Sequence, residues 1–261
     1  MTFFDASARF GKEITNHEVV NHEDFIILEP VDAANDAAAL AGRMDEAGIA
    51  KAIVSHSSMY EFDPVRGNKQ LIDEIANFRG RLVPSWIILP EITDRVFKCE
   101  PFFDAMKANG VKTLRAYPHI NRYLLNSVTM GRQLKYISEY KIPLYLEARF
   151  GYEYIYAVLA EFPELTVVVS NTGCWPSARY IYPLFEQYKN VRLETGDLTM
   201  LRGHEEIAAR FGIERLLFAT NFPTNNMGCA ISALTGSLLT TNQKETVSSG
   251  NLEFLLGEAR L

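Results

Sequence analysis

Cysteine is scarce in this chain, limited to Cys99, Cys174 and Cys229. Their odd number and wide spacing exclude a disulfide framework and a CxxC-type zinc clip, so a reducing, cytoplasmic setting is the expectation. Basic residues are outnumbered, with 26 Lys and Arg against 32 Asp and Glu and a formal net charge of -6. No basic run offsets that deficit. Nucleic acid and anionic membranes are therefore not expected as partners, and a small molecule is. No stretch approaches about 18 uninterrupted apolar residues, and the opening MTFFDASARFGK lacks the basic-then-apolar order of a secretion signal. Neither membrane insertion nor export is expected. GxGxxG and GxxxxGK[ST] are also missing, which removes the usual nucleotide-phosphate loops.

With 48% hydrophobic residues among 261, the chain can bury one large core. β-Branched and aromatic runs predict strands at Thr2–Asp5, Lys51–Ser55, Leu82–Leu89, Val111–Ala116, Pro143–Leu146, Thr166–Ser170, Val191–Glu194 and Arg215–Ala219. Between them, helical periods cover Asn35–Ala47, Lys69–Phe78, Pro101–Ala108, Thr129–Tyr140, Tyr154–Glu161, Ala178–Tyr188 and His204–Phe211, with two more around Cys229–Leu239 and Asn251–Leu256. Several helices run into a turn residue before the next strand, at Gly48, Gly110, Pro163 and Gly212. Eight strand-helix units in about 250 residues predict an α/β fold, a single (β/α)8 TIM barrel spanning 1–261, rather than a doubly wound sheet. The longest irregular stretch, Ala6–Asp32, has the length of a functional loop.

In such a barrel the chemistry gathers at the carboxyl ends of the strands. Those ends read Asp5-Ala6-Ser7-Ala8-Arg9, Ser55-His56-Ser57, Arg115-Ala116-Tyr117-Pro118-His119, Glu147-Ala148-Arg149, Ser170-Asn171-Thr172-Gly173-Cys174, Glu194-Thr195-Gly196-Asp197 and Thr220-Asn221-Phe222-Pro223. Strand alternation puts Ser7 with Arg9 on one face, and likewise Glu147 with Arg149. Phe4–Gly11, Ala47-Gly48-Ile49, Phe162-Pro163-Glu164-Leu165, Asn171-Thr172-Gly173, Phe218–Pro223 and Gly250–Leu256 follow one another in an order that resembles the amidohydrolase-related branch of the amidohydrolase superfamily, TIM-barrel hydrolases and decarboxylases.

The resemblance implies a metal held by a D-x-H-x-H motif on the first strand, histidines on the fifth and sixth and an aspartate on the eighth. Here those positions read Ser7, Arg9, Glu147, Asn171 and Asn221. A catalytic zinc wants about three imidazole or carboxylate ligands, and a guanidinium is a permanent positive charge. No metal and no other cofactor is therefore expected. Asn221 cannot accept a proton from an attacking water as the family's aspartate would, which disfavours its standard hydrolytic route.

Arg9, Arg115 and Arg149 can converge on one mouth and suit a carboxylate, although pairing with Glu147, Glu194 or Asp197 in a polar plug stays open. The expected catalytic groups are Glu147, His56 and Arg9, with Arg9 standing in for the lost cation. The expected substrate-binding groups are Arg115, Arg149, Asn171, Asn221, Ser7 and Tyr117. His119 is a further proton-transfer candidate, and His17 and His22 in the first loop or a nucleophilic Cys174 are alternatives to packing roles. The aromatic run Phe150–Tyr156 could wall an apolar pocket. Two functions remain open: a metal-independent, hydrolase-like enzyme acting on a small carboxylate-bearing molecule, or a non-catalytic barrel binding a ligand or partner. Self-association is left open as well.

Overall fold

The computed structural model describes residues 1–12, 33–61, 63–91, 97–173 and 178–261. Parallel strands β1 (Phe3–Phe10), β2 (Ile49–His56), β3 (Leu82–Ile87), β4 (Thr113–Ala116), β5 (Leu144–Glu147), β6 (Val167–Ser170), β7 (Val191–Glu194) and β8 (Leu216–Leu217) pair in chain order. Helices alternate with them: α1 (Ala37–Ala47), α2 (Ser57–Glu61), α3 (Pro64–Glu74), α4 (Cys99–Ala108), α5 (Pro118–Asn121), α6 (Ser127–Glu139), α7 (Glu153–Glu161), α8 (Ala178–Gln187), α9 (Gly203–Phe211), α10 (Met227–Thr235), α11 (Thr241–Glu245) and α12 (Asn251–Glu258). Backbone bonds from Ala6 N to Phe218 O (2.8 Å), Arg9 N to Phe222 O (2.9 Å) and Asn221 N to Ser7 O (3.0 Å) bring the last strand onto the first. The architecture is the (β/α)8 barrel that the strand count predicts.

Local sequence explains the boundaries. Asp36 caps α1 by accepting from Ala39 N at 2.8 Å, and Gly48 ends it at φ 73, a left-handed conformation that favours glycine. The helix predicted over Lys69–Phe78 begins earlier, because Asp63 accepts from Val65 N and Pro64 fills the first turn. Helices α2, α5 and α11 span four or five residues each, too few for a periodic pattern to reveal.

Strand β1 runs five residues past its predicted end at Asp5. Asp5 turns inward, its Oδ1 accepting from Ser7 N and Thr220 N at 2.9 Å and its Oδ2 from Thr220 Oγ1 at 2.5 Å. Pairing with β2 is irregular between Asp5 and Ala8, then resumes with Arg9 opposite Ser55 and Phe10 opposite His56. This bulge turns Ser7 and Arg9 toward the carboxyl end of the barrel.

Two cores result. One lies between strands and outer helices. The other fills the barrel's interior with Phe4, Ala6, Ile53, Tyr145, Val168, Leu217 and Ala219, and Leu252, Leu255 and Leu256 of α12 pack against it. Apolar filling thus occupies the amino-terminal half and leaves polar residues for the opposite end. The described residues contain no helix long and apolar enough to cross a membrane.

Candidate active site

The carboxyl-end cavity is lined by Ser7, Arg9, Ser55, Arg115, Tyr117, Glu147, Ser170, Asn171, Glu194, Asn221, Phe222 and Thr224, and encloses about 30 Å³. That is room for about two waters. Larger hollows of about 540 and 610 Å³ lie among the outer helices, but neither gathers buried carboxylates with guanidiniums.

Arg115 is buried among the lining residues. It is 4% exposed, donates to Ser7 Oγ at 3.2 Å and lies 4.5 Å over the Tyr145 ring. Burial opposes its charge, but Tyr117, Glu194 and Tyr145 outweigh burial and hold the guanidinium more firmly protonated. Tyr117 is itself pushed up to about 12, chiefly by burial. Arg9, the residue expected to stand in for the cation, lines the same cavity and is more exposed than Arg115.

Arg9 and Arg149 each lie 5.6 Å from the centre of the Tyr60 ring. Arg149 also donates to Tyr60 Oη, rests over Phe150 at 4.7 Å and places Nε 2.9 Å from Glu147 Oε2. Glu147 is 6% exposed, and Tyr154 donates to its backbone oxygen at 2.7 Å. The Tyr60 ring stands edge-on to Tyr117 at 5.0 Å. Burial first, then Glu147, raises the Tyr60 phenol, with Arg149 and Arg9 opposing.

Glu194 lines the same cavity, is 2% exposed and has the Ser7 hydroxyl as the hydrogen-bonding group beside its carboxylate. Burial pushes its carboxyl up to about 8; Asp5 and Asp197 add repulsion, while Arg115 and the Ser7 hydroxyl pull the other way. Ser170 Oγ and Asn221 Nδ2 are buried without a hydrogen-bond partner among the described residues. Asn171 and Asn221 follow their strands at φ 48 and 54, and a Cβ on Gly196 would lie 2.9 Å from Asn221 Cγ, so glycine keeps that side chain's space.

The structure therefore brings Ser7, Arg9, Arg115, Tyr117, Glu147, Asn171 and Asn221 to one cavity, with Arg149 at its edge. It does not bring His56 there. Alternation points Ser55 inward and His56 outward, where Nδ1 meets Ser58 Oγ at 2.6 Å, Nε2 lies 3.4 Å from Glu74 and the ring packs on Phe10. Burial lowers its pKa, with Glu74 opposing. His119 is exposed, stacks on Phe150 and stands edge-on to Tyr154. His17, His22 and Cys174 lie outside the described residues. Ser55 and Glu194 were legible as strand ends; Tyr60 gave no signal, being on a five-residue helix.

No protein-family model matches the chain, and no curated protein matches it significantly. Solved structures do. An uncharacterized TIM-barrel protein from Bordetella bronchiseptica superposes with a TM-score of 0.75 at 20% identity, covering 99% of each chain. A 5-carboxyvanillate decarboxylase from Novosphingobium aromaticivorans, with bound manganese, gives 0.73 at 14% identity over 98% of this chain and 97% of the other. A dihydroxybenzoic acid decarboxylase from Polaromonas, with manganese and 2-nitroresorcinol, gives 0.70 at 15% over 100% and 98%. This chain shares the TIM-barrel fold of these neighbours.

Manganese does not suit this donor set. Among the described residues no group of three His, Cys, Asp or Glu side chains could hold a metal ion. The mouth offers hydroxyls, amides and two glutamates, interleaved with guanidiniums whose charge opposes a cation.

Proposed function

We propose that the chain is a metal-independent enzyme of the amidohydrolase-related type that binds a small carboxylate-bearing molecule at the barrel mouth and acts on it by acid-base chemistry. The observation supporting this most strongly is that Ser7, Arg9, Glu147, Asn171 and Asn221, the positions where the resembled family holds its metal, line one cavity whose cations are guanidiniums. Arg9 and Arg149, half-exposed and braced on Tyr60, anchor the substrate carboxylate as planar forks. Arg115 supplies a fixed positive charge in the cavity. Glu147 is the acceptor for a proton, and its Arg149 contact orients it.

The decarboxylases among the solved neighbours act on aromatic acids by their names, which supports a carboxylate ligand here. The rival is a barrel that binds a ligand or partner without catalysis. Turnover separates the two. A panel of aromatic and aliphatic carboxylates is incubated with chelator-dialysed protein and followed for loss of substrate; conversion abolished by Glu147→Gln supports the enzyme, and binding without conversion of any member supports the rival.

A further inference from the structure

We propose that Glu194, at the carboxyl end of β7, is the group that delivers a proton to the anion bound at the mouth; this rests on the carboxylate-site reading above. Glu194 lines the cavity together with Ser7, Arg115 and Glu147, yet is 2% exposed, with the Ser7 hydroxyl as the hydrogen-bonding group beside its carboxylate. A buried carboxylate with so few donors is costly, whereas a carboxylic acid in that place is neutral and brings its own O–H. Its neighbours fix the direction of transfer. Asp5 of β1 and Asp197 beyond β7 repel a charge on Glu194; Ser7 of β1 and Arg115 of β4 favour one; Tyr145 of β5 faces the same charge.

The step is a plain acid-base exchange. The Glu194 O–H bond breaks, its proton joins the basic atom of the reacting anion, and the electron pair stays on the carboxylate oxygen. Arg115 then faces a carboxylate instead of an acid, and that ion pair stabilises the state after transfer. Water returns the proton. The substrate class follows: an anion whose reaction leaves a basic atom to be protonated, with Glu147, already paired to Arg149, in the complementary role.

Calorimetric titration of 2,6-dihydroxybenzoate into the chelator-dialysed protein, in buffers of different ionisation heat, measures protons exchanged on binding. An anion entering beside a titrating Glu194 draws a proton onto it, so wild type takes up a fractional proton, most near pH 8. Glu194→Gln, nearly isosteric, binds with no uptake. Should that variant not fold, the pH profile of wild-type uptake decides alone. Binding with no uptake between pH 7 and 9, or uptake that persists in Glu194→Gln, overturns the inference and spares the carboxylate site. No binding at any pH overturns the site reading itself.

Discussion

Arg149 holds its Nε 2.9 Å from Glu147 Oε2 at the rim of the barrel. The pair is lopsided: the Glu147 side chain is 8% exposed and that of Arg149 36%. The guanidinium can therefore turn part of its fork outward to a ligand while still facing the glutamate. Arg149→Met removes a charged donor, and hydrogen bonds of that kind contribute about 1.5–3 kcal/mol. Carboxylate affinity is expected to fall by roughly tenfold or more on that basis. The carboxylate-induced rise in melting temperature should shrink accordingly; an unchanged rise would make Arg149 an internal partner only.

Asp5 ties the first strand to the last through Ser7 N, Thr220 N and Thr220 Oγ1. Asp5→Ala strands three buried donors at the barrel's seam and is expected to cost about 3 kcal/mol or more in urea unfolding. Thr220→Val removes one of them and should cost less. Equal and negligible losses in both would contradict this account of closure.

His56 packs between β2 and α3 rather than over the cavity. His56→Ala should lower stability by about 1–3 kcal/mol through lost packing and hydrogen bonds. Carboxylate binding should stay as in wild type once the protein is folded. A selective loss of binding, with stability intact, would return His56 to the site.

Glu194 has its pKa raised from 4.5 to about 8 in the fold. In that window the folded state holds a proton that the unfolded chain releases, so stability is full below about 4.5 and is lost as pH rises through 8. Asp5, raised from 3.8 to about 6 mainly by burial, acts in the same direction at lower pH. Wild type should therefore melt at lower temperature at pH 9 than at pH 6, and Glu194→Gln should show a flatter profile across pH 6 to 9. Parallel profiles would mean that Glu194 is already ionised.

The barrel was legible because each strand reads as a short apolar run beside a turn signal, and Val191–Glu194 matches its predicted span. Tertiary effects hid the rest. Extension of β1 to Phe10 depends on Asp5 meeting Thr220, 215 residues away. The mouth residues were readable as strand ends, whereas their burial was not: Arg115 is 4% exposed and Arg9 only partly buried, a difference set by neighbours from other strands. Period-two alternation within β2, taken with the Arg9–Ser55 register, separates inward Ser55 from outward His56. Pairing register is set between strands and cannot be read along one. Tyr60, which braces both rim arginines, belongs to a helix too short to announce itself.

On the proposed reading, arginines and not a divalent cation hold a carboxylate at this mouth. Calorimetric titration of 2,6-dihydroxybenzoate into chelator-dialysed wild type and into the Arg9→Met, Arg149→Met double variant, each with and without added manganese, tests this. Binding to metal-free wild type, unchanged by manganese and lost in the folded double variant, is the predicted result. Binding that appears only when manganese is added, or that survives the loss of both arginines, would contradict it.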